Sequence, residues 1–135
     1  MSVDASKAAN PRAMTIAGWV FSGLFTAFML MDIGMKLSGA PQVTEYSATI
    51  GIPAWNIPII TVIEGACLVF YLLPPTRILG AVLFTGVFGG TAATHLQVGS
   101  PLFTHILFGI YLGIAAWLGL WLRDPKVRAI LPLVR

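Results

Sequence analysis

Charge is scarce in this chain: only 10% of its 135 residues are Asp, Glu, Lys or Arg, and only five of those are acidic. A soluble domain of this size needs a polar shell around its core. A hydrophobic content of 57% with a mean hydropathy of +0.87 leaves too little to build one. Cysteine is nearly absent as well. The single Cys67 excludes an internal disulfide, a Cys-x-x-Cys redox pair and a thiolate metal cluster, and reads as a small packing residue. There is no low-complexity stretch, no internal repeat and no glycine-rich nucleotide fingerprint. The excess of eight basic over five acidic residues calls for no nucleic acid, because the cations flank apolar runs, where they meet anionic headgroups.

Long apolar sequence is what the chain has in abundance. Four runs, at about 13–36, 57–73, 78–95 and 102–122, approach the length of about 20 residues that a helix needs to cross the hydrocarbon. Two connections are tight, Pro74-Pro75-Thr76 and Leu96 to Pro101; only Leu37 to Asn56 is long. Short connections force neighbouring helices to run antiparallel. The pattern therefore predicts an all-α membrane protein, a single domain over 1–135 whose four transmembrane helices form an up-down-up-down bundle. Lys7, Arg12, Arg77, Arg123, Lys126, Arg128 and Arg135 fall on one side of such a bundle, and Lys36 alone near the other. The positive-inside rule then places both termini in the cytoplasm.

With that orientation, sequence positions become depths. Asp32 and Lys36 come near the outer end of the first span. Glu64 lies about 10 Å below the outer boundary at a rise of about 1.5 Å per residue. His95 closes the third span and His105 opens the fourth, again on the outer side. A carboxylate at the depth of Glu64 is costly and calls for a partner, a pore or a reaction. Asp32 and Lys36, four apart, share a helix face and can pair. Thr61 and Tyr71 lie on the face of Glu64 or close to it, while His105 lines up with Gly109, Leu112, Ala116 and Gly119. On the third span Gly86 and Gly90 make a Gly-x-x-x-Gly step beside a ridge of Ala81, Thr85, Gly89 and Ala93, and Gly109 and Gly113 repeat the step on the fourth. Such steps serve packing within a bundle or a homodimer interface.

Each polar residue carries two readings. Asp32 and Lys36 are a site's electrostatic tuner or a salt bridge neutralising a span end. His95 and His105 are hydrogen-bond partners of a ligand, or an interfacial residue and a donor to a backbone carbonyl. Glu64 is a proton donor and acceptor, or a structural carboxylate bonded to Lys36, a Tyr or a His. Metal ligation lacks the short His spacing on one helix, and a haem between the two His is disfavoured by their places at span ends; no metal is expected.

The order of motifs resembles one family across Arg12 to Arg128. Gly18-Trp19, Asp32-Ile33-Gly34-Met35-Lys36-Leu37 and Gly51-Ile52-Pro53 come first. Glu64, Leu73-Pro74-Pro75-Thr76-Arg77, Gly80-Ala81, Gly89-Gly90, Ala92-Ala93-Thr94-His95, Trp117 and Leu122-Arg123-Asp124-Pro125 follow. Together they resemble DoxX-like membrane proteins. That resemblance implies a four-helix protein of the inner membrane whose relatives are linked to thiosulfate:quinone oxidoreduction and thiol stress. Asp32, Lys36, Glu64 and His95 match its polar pattern; His105 does not.

The expectation is a site for an apolar quinone-like or lipid-like ligand in the outer half of the bundle, with proton-coupled redox chemistry carried out alongside a partner. Glu64, His95 and His105 are its candidate catalytic residues, and Asp32, Lys36, Thr61 and Tyr71 its ligand-binding ones. With one cysteine the chain carries no electrons unaided, so a redox role requires quinone, a bound cofactor or a membrane oxidoreductase. An acid–base isomerase or hydratase of a lipid-soluble substrate and a non-catalytic accessory subunit are the alternatives.

Overall fold

A computed structural model describes residues 10–133; Lys7 and Arg135, used above for orientation, lie outside them. Among the described residues every regular element is helical. The order is α1 (Arg12–Leu37), α2 (Pro41–Thr49), α3 (Ile57–Leu72), α4 (Arg77–Gln97), α5 (Phe108–Arg123) and α6 (Pro125–Ile130). Short turns at Ala54–Asn56, Pro74–Thr76 and Leu102–Ile106 lead into α3, α4 and α5, and with them these helices and α1 are long and apolar enough to cross a membrane. The ends are set by familiar chemistry. Proline near the start of α2, α3 and α6 costs no hydrogen bond there. Gly39 and Gly99, at φ near +69° and +68°, follow the last turns of α1 and α4, where a side chain would be strained.

The chain differs from its hydropathy reading in two places. The Leu37–Asn56 connection is not plain loop but holds α2. The fourth span begins as a wider turn, in which His105 and Ile106 both donate from their backbone N–H to Pro101 at 3.1 Å, and becomes regular only at Phe108.

Contacts pair α1 with α3 and α5, α3 with α4, and α4 with α5, so the four long helices close into a ring. Inside it Phe25, Met29, Tyr71, Phe84, Phe88 and Leu120 are almost fully buried. Phe25 meets the rings of Tyr71, Phe84 and Phe88 edge-on at 5.0–6.0 Å, the arrangement that aromatic quadrupoles favour. Large apolar side chains such as Leu24, Val62 and Phe103 cover the outside, the inverse of a soluble surface and suited to acyl chains.

The glycines divide into two kinds. A Cβ on Gly18 would stand 2.8 Å from the Gly119 carbonyl, one on Gly80 would strike the Tyr71 backbone, and one on Gly109 would press on Phe88 at 3.3 Å. These are places where helices touch through backbone. Gly86, Gly89 and Gly90 meet nothing within 4 Å, so the step on the third span faces away from the ring.

Asp124 ties the far end. Its buried carboxylate pairs with Arg77 at 2.7 Å and accepts from the Lys126 backbone N–H at 3.0 Å, capping α6. Asp124→Ala removes both bonds and strands the guanidinium, an expected loss of about 2–3 kcal/mol. Thermal unfolding in detergent would register it as a lower midpoint, and an unchanged midpoint would refute the tie.

Candidate functional site

The ionisable residues singled out in the sequence fall into two sets. In the first, Lys36, near the C-terminal end of α1, extends its ammonium to Asp32 Oδ2 at 2.7 Å. It also reaches the two carboxylate oxygens of Glu64 on α3, at 2.9 and 2.8 Å. Its three hydrogens thus each have an acceptor. Glu64 is 7% exposed, so the long lysine side chain is what lets a carboxylate sit within the wall of the bundle. Two acids share one base, and the fully ionised triad carries one net negative charge. It can therefore take up a proton without losing the ammonium that holds it together.

The second set is aromatic. His95, buried near the C-terminal end of α4, has Nδ1 3.0 Å from the Ser100 hydroxyl and Nε2 3.5 Å from the Tyr46 hydroxyl. His105 contacts the Thr104 hydroxyl through Nδ1 at 2.7 Å. The three rings make a triangle, with centroid separations of 5.8 Å between the imidazoles and 6.2 and 6.4 Å from Tyr46 to His95 and His105. Tyr46 comes from α2, which folds across to reach them. Partial burial pushes its phenol above the usual tyrosine range, so it is a neutral donor at physiological pH. Donation from Tyr46 to Nε2 leaves Nδ1–H free to donate to Ser100.

Among the described residues no hydrogen bond or ion pair joins the triad to the ring cluster. The buried Thr61 donates its hydroxyl to the Ile57 carbonyl at 2.7 Å, and so is occupied within α3. Tyr71 is a core residue. Its hydroxyl donates to the Ala116 carbonyl at 2.7 Å and accepts from Ser22 at 2.9 Å, linking α3 to α5 and α1. Sequence reasoning missed Tyr46 and Ser100 as histidine partners and Ser22 as the partner of Tyr71. Their only signal was polarity, in a chain with little of it.

Cavities open on the outside of the ring. One of about 620 Å³ lies along α4 and α5, lined by Phe88, Gly113, Trp117 and Trp121 among others. One of about 320 Å³ lies between α1 and α3, with Tyr71 in its lining and Arg123 at one end. Neither is lined by the triad or by the two histidines. A family model for the DoxX-like family matches residues 20–119, a segment that contains both polar sets. No curated protein and no solved structure matches the chain.

Proposed function

The chain belongs to the DoxX-like family of membrane proteins, and on that premise we propose that it is an inner-membrane component of a redox system, binding a quinone-like or lipid-like molecule. In this proposal the triad of Asp32, Lys36 and Glu64 exchanges the proton, and His95, His105 and Tyr46 bond the polar end of the ligand. The observation that carries it is the shared ammonium: two carboxylates held by one lysine within an apolar wall form a proton store ready to fill. Both termini lie in the cytoplasm and the bundle runs up-down-up-down. Phe28 meets Phe108 at 5.4 Å while Gly18 meets Gly119, the order of contacts expected of antiparallel partners. The triad and the rings then share the outer half.

Glu64→Gln keeps an acceptor for Lys36 and removes the titrating group. In proteoliposomes supplied with a short-chain quinone, proton uptake coupled to quinone turnover by the partner should fall by at least tenfold while the fold survives. Full retention would sink the proposal. Mass spectrometry of co-purifying lipids adds a second check: a quinone supports it, whereas a terpenoid or steroid would favour isomerase chemistry.

One observation favours an assembly role in parallel. Gly86 and Gly90 are exposed on α4 with open space above them, and membrane helices approach closely across such steps. Gly90→Leu would then abolish a crosslinked homodimer or a complex with an oxidoreductase without unfolding the chain; persistence of the crosslink would exclude this face.

A further inference from the structure

Arg123 presents a guanidinium in the bundle wall that the fold only partly commits. Its Nε is buried with no hydrogen-bond partner, and among the described residues it forms no ion pair. The adjacent carboxylate, Asp124, is taken by Arg77 at 2.7 Å. The Tyr71 hydroxyl beside it interacts with the guanidinium but also donates to Ala116 and bonds Ser22, so it can accept at most one of the five N–H groups. The Trp19 ring also faces the cation, with the guanidinium carbon 4.0 Å from the centroid. An aromatic face attracts a cation but supplies no acceptor for its N–H groups.

The smaller cavity begins at this cation. Trp19, Gly23 and Leu30 run along one side of α1, so its wall follows that helix for about 16 Å at 1.5 Å per residue. Gly23 is exposed, and a Cβ there would meet nothing within 4 Å, so the trough is open along its length. A cationic head end with an apolar trough leading away from it has the shape and charge of an anionic amphiphile. From it we infer that this groove holds one anionic phospholipid, its phosphate on Arg123 and an acyl chain lying over Gly23 towards Leu30. A planar guanidinium pairs with phosphate oxygens two at a time, which a zwitterionic head, carrying its own cation, satisfies less well. Trp19 and Arg123 lie just outside the segment that matches the family, and the inference stands independently of the triad.

Native mass spectrometry of the detergent-solubilised full chain tests it, with added dioleoylphosphatidylglycerol, dioleoylphosphatidylcholine or inorganic phosphate. One phosphatidylglycerol should be retained about tenfold more strongly than phosphatidylcholine, the gain of one charge-assisted bond, and Arg123→Gln should erase that preference. Gly23→Leu, which leaves the cation in place and fills the trough, should lower retention of the anionic lipid at least tenfold with helicity unchanged. Equal retention of the two lipids by the wild type would overturn the assignment, as would unaltered retention in Gly23→Leu. Displacement of the lipid by inorganic phosphate alone would also overturn it, by showing a site for a free anion.

Discussion

Lys36→Met should be among the most damaging single substitutions in the protein, lowering stability by about 3–5 kcal/mol, the range for removing one partner of a buried ion pair. The ammonium holds Asp32 and Glu64 through three bonds of 2.7–2.9 Å. Without it two carboxylates face each other across α1 and α3. Asp32, whose side chain is 33% exposed, can turn towards headgroups and water, whereas Glu64 at 9% cannot. The cost therefore falls on Glu64, and removing that residue too should recover most of it. Lys36→Met with Glu64→Leu substitutes apolar groups for both ends of the pair, a change that is commonly near neutral. Unfolding in mixed micelles should show a large drop for the single variant and a small one for the double. Equal drops would mean that the lysine stabilises the bundle by packing and not by charge.

Gly80→Ala is expected to disrupt the bundle by adding one methyl group. A Cβ at this position would overlap the backbone of Tyr71, with its Cα at 2.5 Å and the Phe70 carbonyl carbon at 2.8 Å. Backbone within a helix cannot step aside as a side-chain tip can, so α4 would have to move off α3. Tyr71 also ties α3 to α5 and α1 through its hydroxyl, so the displacement would spread. Overpacking usually costs about 1–3 kcal/mol, and a rigid obstacle puts this case at or above the top of that range. Gly90→Ala is the matched control: its Cβ meets open space, and alanine's higher helix propensity should leave stability unchanged or raised by up to about 1 kcal/mol. A Gly80→Ala variant as stable as the Gly90→Ala one would show that α3 and α4 do not touch there.

What could be read from the sequence follows from which interactions are local. Three of the four long helices keep both ends within about two residues of their hydropathy limits, and α5 keeps its C-terminal end, because the bilayer's length requirement and the flanking charges both act along the chain. The Asp32–Lys36 pair follows from helical spacing alone. The choice of Lys36 as partner for Glu64 does not: 28 residues separate them, and a tyrosine or a histidine served equally well on paper. The glycines fail for the same reason. Gly80 and Gly86 lie on the same helix, and only the neighbouring backbone distinguishes a required hydrogen from an idle one. Helix α2 escaped because its nine residues are mostly polar and show no apolar repeat. A helix that short is marginal in isolation, and here Tyr46 anchors it to the histidine rings. The place of Tyr71 near the Glu64 face is local, whereas the acceptor of its proton, the Ala116 carbonyl, belongs to a helix two connections away.

The closure of α1 against α5 orders events during synthesis. The face of α1 around Gly18 and Ser22 packs on the Gly119 region, which the ribosome supplies only after α3 and α4. At about 5–20 residues per second, the nascent first helix must wait in the bilayer for seconds with its notch empty. Chains arrested before α5 would keep that notch open to other newly inserted helices, an opportunity for mispairing or for recognition by a membrane chaperone.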